Sequence, residues 1–221
     1  MTSFPFQIVG FDLDGTLLDT GDDLAAAVNH TLSLAGRAPL SRAVILSHVG
    51  GGVQQLLHRV LDLTGGTSPA LEADLLPRHG AWYRAHLTDH TAPYPGAVAA
   101  LEGLAARGAT LAVVTNKREA ISRELLDRLG LADRFACIIG GDTMPRNKPA
   151  PDPIREMLRR CGGTANGRRA AFVGDSRYDV EAAHSAGLPV VGCHFGFGHD
   201  TPGADATIDR FDRLIPVLEA L

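Results

Sequence analysis

Short apolar segments alternate with segments of helical periodicity along most of the chain. Five segments have the composition of β-strands: FQIVGFD, TLAVVTN, CIIGG, AAFVGD and PVVGCHF. Because these segments are apolar on both faces, they predict a parallel sheet covered by helices on each side. Between them, stripes such as Ile121, Leu125 and Leu129 predict amphipathic helices. The order of these elements predicts an α/β protein built on a doubly wound parallel sheet.

One interval departs from this alternation. From about residue 20 to residue 93 the chain shows helical stripes and no convincing strand. The interval is too long for a single crossover helix, so we interpret it as a helical cap domain inserted after the first strand. The segment APYPG, with its prolines and glycine, marks the return to the sheet. The predicted division is an α/β core of residues 1–19 and 94–221 and a helical cap of residues 20–93.

Composition and charge narrow the class of protein. With 221 residues and 45% hydrophobic content, the chain is long enough to bury a full core. Its formal net charge of −4 provides no basic field, which argues against nucleic acid as a partner. The three cysteines are far apart and form no CxxC pair, which is typical of reduced thiols and argues against zinc or disulfides. No apolar run approaches membrane-spanning length and the start lacks a basic signal region, so we expect a cytoplasmic protein without a membrane partner.

Three acidic residues, Asp12, Asp14 and Asp19, follow the first predicted strand in the segment GFDLDGTLLDT. Asp12 falls at the carboxyl end of that strand, with Asp14 and Gly15 in the turn after it. Open α/β sheets bind ligands at this edge. The DxDG pattern is also that of an ordinary surface turn, since Asp and Gly are both turn formers. The acids alone therefore do not distinguish a functional site from a turn.

Polar residues also follow three further predicted strands: Thr115, Asn116 and Lys117; Lys148; and Asp175, Ser176 and Asp179. Each group alone has an ordinary explanation, such as a helix cap, a turn or a solvated charge. Together they predict one site, because several unrelated loops place acids, a hydroxyl and a cation at the same sheet edge. Lys117 and Lys148 are the only lysines among 21 basic residues. Both lie in these loops, and a compact ammonium suits a phosphoryl oxygen.

The motifs DLDGT, VVTN, KPAPDP and GDSRYD, in this order, resemble those of the haloacid dehalogenase superfamily, the aspartate-nucleophile phosphatases, over nearly the whole chain. The segments DLAAAVNHTL, VGGGVQQLL and VGDSRYDVEAAHSAGLPVVGCHFGFG are similar to the phosphoglycolate phosphatase branch. The resemblance implies Mg²⁺-dependent hydrolysis of a small phosphorylated metabolite, most closely 2-phosphoglycolate. It further implies that Asp12 attacks phosphorus to form an aspartyl phosphate, while Asp14 acts as general acid and then general base.

The resemblance also implies roles for the other site residues. It assigns Mg²⁺ to Asp12, the backbone carbonyl of Asp14, and Asp175. It assigns the phosphate or the substrate to Thr115, Asn116 and Lys148. We expect Asp179 to hold Lys148 or a metal-bound water in place, with Ser176 and Gly15 as supporting residues. Asp19 is expected to be a helix N-terminal acid rather than a catalyst.

Several alternatives remain open at this level. A dehalogenase has no alkoxide leaving group, so the second acid, Asp14, argues against that activity. A non-catalytic relative would be expected to lack at least one of the principal site residues. A phosphomutase, or a phosphatase for a sugar phosphate or pyrophosphate, fits the same core residues. The sequence is compatible with a monomer or a homodimer.

Substrate choice is expected to depend on the cap. The glycine turn at residues 49–52 is the best candidate loop, since glycine lets backbone amides approach a small anion. The same glycines also suit a helix N-cap before Val53. Five cap arginines are candidate partners for a substrate carboxylate: Arg37, Arg42, Arg59, Arg78 and Arg84.

Overall fold

A computed structural model of the protein describes residues 4–163, 169–198 and 201–221. Its strands in these ranges are β1 (Ile8–Phe11), β2 (Leu18–Asp19), β3 (Ala92–Pro93), β4 (Thr110–Val114), β5 (Cys137–Ile139), β6 (Ala170–Gly174), β7 (Val190–Cys193) and β8 (Ala206–Ile208). Six of them form a parallel sheet in the order β5-β4-β1-β6-β7-β8. The five strands predicted from the apolar segments are confirmed. The short, largely accessible strand β8 was missed because it has no apolar run.

The described helices are α1 (Gly21–Leu34), α2 (Arg42–Leu46), α3 (Val53–Leu63), α4 (Pro69–Ala85), α5 (Ala97–Ala106), α6 (Glu119–Arg128), α7 (Asp152–Arg160), α8 (Arg177–Ser185) and α9 (Leu214–Ala220). Within the described part of the chain, none of them has the length and apolar character needed to cross a bilayer.

Helices cover both faces of the sheet. One apolar cluster joins β1 and β4 to α5, α6 and α9, with Leu104, Leu125 and Leu214 buried in it. A second joins other residues of the same strands to α7 and α8 through Met157 and Val180. Because alternate residues of a strand point to opposite faces, a strand covered on both sides must be apolar throughout. All four residues of β1 are buried accordingly, and the predicted doubly wound sheet is confirmed.

Helices α1 to α4 form a separate helical insert with its own apolar cluster, which includes Val28, Ile45, Leu57 and Val60. This confirms the expected helical cap after the first strand. The insert leaves and rejoins the sheet unit through the antiparallel pair β2 and β3, where Leu18 faces Pro93 and Asp19 faces Ala92. Two residues are too few to show a strand periodicity, so this pair could not be recognised from the sequence. The domain division at residues 20 and 93 stays a prediction.

Candidate active site

Asp12 follows β1 directly and lies at the carboxyl edge of the sheet. Its backbone N–H donates to the carbonyl oxygen of Val173 at 2.9 Å, which continues the ladder between β1 and β6. The carboxylate accepts the Leu13 N–H at 2.7 Å and lies 3.1 Å from the ammonium of Lys148. Burial raises the pKa of Asp12 to about 6, although the charge of Lys148 opposes this rise. Asp12 is therefore a fixed, desolvated carboxylate beside the ammonium of Lys148.

Lys148 is a buried ammonium held by three oxygen atoms. Its Nζ donates to the backbone carbonyl of Val114 at 2.7 Å and to Asp179 Oδ1 at 2.6 Å, in addition to the contact with Asp12. Burial lowers the pKa of Lys148, but Asp12 and Asp179 raise it more, so the group stays charged. Asp179 is in turn fixed by Ser176, whose backbone N–H and hydroxyl both donate to Asp179 Oδ2. This capping box at the start of α8 explains the Ser-x-x-Asp spacing.

Asp175 follows β6, and its side chain is buried at the border of the cleft. Its Oδ1 accepts the hydroxyl of Thr16 at 3.0 Å, and its Oδ2 accepts the N–H groups of Phe197 and Gly198 at 2.8 and 3.0 Å. Burial, together with the charges of Asp179 and Asp12, raises the pKa of Asp175 to about 8. The loop after β7 therefore fixes the orientation of this acid.

Asp14 lies in the turn after β1 and makes a different ion pair. Lys117 Nζ lies 2.8 and 2.7 Å from its two carboxylate oxygens, and the hydroxyl of Thr20 donates to Asp14 Oδ1 at 2.8 Å. The side chains of Lys117 and Asp14 are 7% and 13% exposed, so this is a largely desolvated pair. The lysine also lies 4.8 Å from the centroid of the Tyr83 ring. The two lysines of the chain thus each pair with one acid of the DxD motif.

Thr115 and Asn116 follow β4 with different environments. Thr115 is buried, and its hydroxyl accepts the backbone N–H of Lys117 at 3.2 Å. The side-chain amide of Asn116 donates to the carbonyl oxygens of Gly50 and Lys148 at 2.7 and 2.9 Å, while its oxygen accepts the Lys148 N–H at 3.0 Å. The Asn116 side chain is therefore committed to backbone groups, so a contact with phosphate would have to come from its main chain.

The glycine turn of the insert lies over this loop. Gly52 is the N-cap residue of α3, which begins at Val53, so the alternative reading of these glycines as a helix start is correct. Gly52 has a φ of 88°, and a Cβ there would lie 3.2 Å from the carbonyl oxygen of Asn116. Gly50 and Gly52 also line the cleft beside Asp12 and Asp14. The turn therefore both starts the helix and brings backbone close to the site.

The expected role of the cap arginines is not supported by their positions, because none of the five lines the cleft as it is formed by the described residues. Arg37 donates to the carbonyl oxygens of Leu61 and Gly66, within the insert. The other four contact side chains outside the cleft: Arg42 contacts Asp19 and Asp22, Arg59 contacts Tyr178, Arg78 contacts Asp74, and Arg84 contacts Glu124. The basic residues that line the cleft are instead Lys117, Arg118 and His79. Burial lowers the pKa of His79 to about 4, so it is neutral.

One cleft between the sheet edge and the insert brings most of the predicted residues together. It is lined by Asp12, Asp14, Thr115, Asn116, Asp175 and Ser176. Lys148, Asp179 and Gly15 contact these residues without lining the cleft. Asp19 is not part of the cleft; its carboxylate accepts the N–H of Gly21 at the start of α1, as expected for a helix N-terminal acid. Sequence reasoning missed Thr16, Tyr83 and the backbone of Phe197, because no motif spacing relates them to the acids.

A group of three buried acids, Asp12, Asp175 and Asp179, lies where the carboxyl edge meets the cleft. Their ligand atoms lie within 4.8 Å of one another. Lys148 is the cation that contacts them among the described residues, so the ionised cluster keeps an excess of negative charge. Oxygen donors and excess negative charge fit a hard divalent cation such as Mg²⁺. Asp12 and Asp175 line the cleft, whereas Asp179 lies behind it with both oxygens engaged by Lys148 and Ser176, so Asp12 and Asp175 are the better candidates for ligands.

Comparison with known proteins agrees with this geometry. A sequence profile described as haloacid dehalogenase-like hydrolase matches residues 9–193. A phosphoglycolate phosphatase from Neisseria gonorrhoeae is 42% identical over 216 residues, covering 96% of this chain and 90% of the relative. The crystal structure of a predicted phosphoglycolate phosphatase from Haemophilus somnus matches with a TM-score of 0.89 and 31% identity, covering 96% of this chain and 97% of that chain.

A further solved structure carries a bound sugar phosphate. It is CbbY from Rhodobacter sphaeroides in complex with xylulose-(1,5)-bisphosphate, with a TM-score of 0.79 and 26% identity, covering 95% of this chain and 96% of that chain. The relatives confirm the expected enzyme class, a phosphoric monoester hydrolase. The motifs, the fold and the profile match agree, and the chain belongs to the haloacid dehalogenase-like hydrolase family.

Proposed function

We propose that this hydrolase cleaves 2-phosphoglycolate to glycolate and phosphate, through an aspartyl phosphate on Asp12 and with Mg²⁺ as cofactor. The observation that carries the proposal is the placement of two acids in one cleft. Asp12 lies 3.1 Å from the buried ammonium of Lys148, and Asp14, two residues later, lines the same cleft with its own lysine. One acid is thus available as a nucleophile, and the other is placed beside it, where we propose that it transfers the proton once substrate is bound.

In the proposed reaction, an oxygen of Asp12 bonds to phosphorus while the bond from phosphorus to the ester oxygen breaks. Asp14 gives a proton to the departing oxygen, which leaves as the hydroxyl group of glycolate. Asp14 then takes a proton from a water molecule whose oxygen attacks phosphorus. This step releases inorganic phosphate and restores the carboxylate of Asp12. Two acids are needed because the first is consumed as the nucleophile.

Other residues would neutralise and orient the phosphoryl group. The hydroxyl of Thr115 is proposed to bind a phosphoryl oxygen, and Lys148 to bind another with the donor that it gives to Asp12 in this structure, since the charge of the phosphoryl group must be compensated during transfer. Asp179 keeps Lys148 in place through the contact at 2.6 Å, and Ser176 fixes Asp179. Asp12, Asp175 and the backbone carbonyl of Asp14 would hold Mg²⁺, which supplies positive charge next to the phosphoryl group when bound.

The substrate assignment has one competitor with specific support. The names of the curated relatives favour 2-phosphoglycolate. The likeness to a protein solved with a sugar bisphosphate favours a larger phosphorylated sugar. The insert contributes mainly apolar side chains and glycines to the cleft and few groups that could bind the hydroxyls of a sugar, which favours the smaller substrate.

Phosphate release by the purified protein with Mg²⁺ tests both parts of the proposal. We expect kcat/KM for 2-phosphoglycolate to exceed that for glucose 6-phosphate, fructose 6-phosphate and pyrophosphate by about tenfold or more. Asp12→Asn should abolish turnover, and Asp14→Asn should reduce kcat by about 10²–10⁴-fold. Asp19→Asn, an acid outside the cleft, is the matched control and should keep near wild-type activity.

Two results would contradict the proposal at different levels. Turnover by Asp12→Asn, or full activity in excess chelator, would rule out the mechanism. Better hydrolysis of a sugar phosphate would reject the substrate and leave the phosphatase mechanism standing.

A further inference from the structure

Lys117 is placed to bind more than Asp14. It lies in the loop between β4 and α6, lines the cleft, and has a side chain that is only 7% exposed. Its contacts with Asp14, at 2.8 and 2.7 Å, account for two of the three N–H donors of the ammonium. Burial lowers the pKa of Lys117, but the carboxylate of Asp14 raises it more, so the group is a cation. A desolvated cation that faces a cleft attracts an anionic ligand strongly.

Tyr83 provides an independent observation at the same place. This residue of α4 is 6% exposed and lines the cleft, and its ring lies under the Lys117 ammonium at 4.8 Å. Its hydroxyl is buried and close enough to interact with the Lys117 ammonium, but it makes no well-formed hydrogen bond with any of the described residues. A buried hydroxyl that lacks a well-formed hydrogen bond is unfavourable, so we expect a ligand or a water molecule to bind to it. Burial raises the pKa of Tyr83 to about 12, so the hydroxyl is a neutral donor.

These two groups lie on the side of the cleft where the leaving group must be. The proposed proton donor, Asp14, has to contact the departing ester oxygen. Lys117 contacts both oxygens of Asp14 and is therefore one residue away from that oxygen. A carboxylate one carbon from the ester oxygen is within reach of such a cation. The other basic residues of the cleft fit less well, because His79 is neutral and the Arg118 side chain is 70% exposed and paired with Asp142.

We propose that Lys117 and Tyr83 form the subsite that binds the carboxylate of the substrate's leaving group. The inference rests on the proposed function and replaces the cap arginines as the origin of substrate preference. Lys117 comes from the sheet unit and Tyr83 from the insert, so the subsite needs both parts of the protein. A substrate whose leaving group lacks an anion leaves the Tyr83 hydroxyl without a well-formed hydrogen bond, and it is selected against for that reason.

The test compares two substrates that differ only in the carboxylate, 2-phosphoglycolate and ethyl phosphate. For the wild type with Mg²⁺, the ratio of their kcat/KM values measures the contribution of the subsite. We expect Lys117→Met to lower this ratio at least about tenfold, the scale of a charge-assisted contact. Tyr83→Phe removes only the hydroxyl and should lower the ratio by about threefold to tenfold. Arg118→Met, which removes the neighbouring cation, should keep the ratio within about twofold.

A binding measurement guards against loss of structure in the variants. In protein that carries Asp12→Asn to prevent turnover, calorimetry with Mg²⁺ should show weaker binding of 2-phosphoglycolate after Lys117→Met is added. Ethyl phosphate should show a much smaller change. An unchanged ratio in both Lys117→Met and Tyr83→Phe would overturn the subsite alone, provided that the wild type prefers 2-phosphoglycolate. A wild type without that preference would overturn the proposed substrate itself.

Discussion

At the scale of single residues, Gly15 is the position where the backbone and the acid cluster constrain each other most closely. Its φ of +80° lies in the left-handed region that favours glycine. A Cβ at this position would lie 2.4 Å from Asp175 Oδ2 and 3.0 Å from the backbone nitrogen of Phe197. Because that oxygen accepts two backbone N–H groups, it cannot move without losing them.

The first prediction follows from this contact. Gly15→Ala should lower the free energy of unfolding by about 1–3 kcal/mol through backbone strain. It should also reduce kcat/KM at least about tenfold, because the displaced Asp175 would no longer be positioned for a metal. Gly108→Ala is a matched control, since Gly108 has the same φ of +80° and no atom within 4 Å of the added Cβ. Urea unfolding and phosphate release measure the two effects. Unreduced activity in Gly15→Ala would show that the exact position of Asp175 is unimportant.

The sequence predicted some residue-level features better than others. Asp12, Thr115 and Asp175 were found because each directly follows an apolar strand, and strand ends of a parallel sheet share one edge. The pairing of Lys117 with Asp14 joins residues 103 positions apart, and it depends on side-chain directions that no local pattern encodes. Tyr83 was assigned no role because its hydroxyl becomes significant only when it is seen to be buried without a well-formed hydrogen bond.

At the scale of elements, the connection between the sheet and the insert is the feature that hydrophobic patterning did not show. The chain crosses between them at residues 18–21 and 90–93, and the β2–β3 pair joins the crossings. Asp23, in the first turn of α1, strengthens this connection. Its carboxylate accepts the backbone N–H groups of His90 and Thr91 and the hydroxyl of Thr91 at 2.7–3.1 Å. One buried acid therefore ties the start of the insert to its end.

Asp23→Asn is predicted to weaken the contacts that join the start of α1 to His90 and Thr91. An amide offers one acceptor oxygen and no charge, so we expect the free energy of unfolding at pH 7 to fall by about 1.5–3 kcal/mol. Asp22→Asn is the control, because Asp22 pairs with Arg42 at the surface and the two side chains are 60% and 46% exposed. Its loss should be below about 1 kcal/mol. Urea unfolding measures the free energy of unfolding of both variants. Equal losses would mean that the buried contacts of Asp23 stabilise the protein no more than a surface ion pair does.

The effect of Asp23 should also depend on pH. Burial raises the pKa of Asp23, but hydrogen bonds from Thr91 and His90 lower it more, so the net pKa is below the ordinary value. A lowered pKa in the folded state adds stability above the ordinary carboxyl pKa of about 3.9, and this stability is lost as the pH falls further. The carboxylate's contribution to the difference between the wild type and Asp23→Asn should therefore be present down to about pH 4 and shrink as the pH is lowered from about 4 to 3. A constant difference over this range would contradict the assignment.

At the scale of the whole molecule, the order of strands decides which loops meet. β1 lies between β4 and β6, so the loops that follow these three strands are neighbours at one edge. They carry Asp12, Thr115 and Asp175 respectively. The alternation of strands and helices predicted the fold class, but not this order, because strand order depends on how the helices pack across the sheet. The predicted convergence of polar residues followed from the shared edge alone.

The same convergence concentrates negative charge, and the last prediction concerns its effect on stability. Asp12, Asp175 and Asp179 are buried with one ammonium in contact, and burial raises the pKa of Asp12 to about 6 and that of Asp175 to about 8. A divalent cation that binds only the folded chain should therefore stabilise it. At a free concentration of about 100 times Kd, the gain is about 2.7 kcal/mol. For a chain of this size, that corresponds to an increase in Tm of about 5–10 °C.

Thermal unfolding with MgCl₂, compared with NaCl at equal ionic strength, measures this gain without reference to activity. Asp175→Asn should remove most of the Mg²⁺-dependent increase in Tm, because it deletes one proposed ligand. Asp19→Asn should keep the increase, since Asp19 is half-exposed and pairs with Arg42 outside the cleft. An increase that survives Asp175→Asn would place the cation elsewhere on the protein. If instead Asp19→Asn abolished the increase, the acid at the start of the insert, rather than the buried cluster, would be responsible for binding.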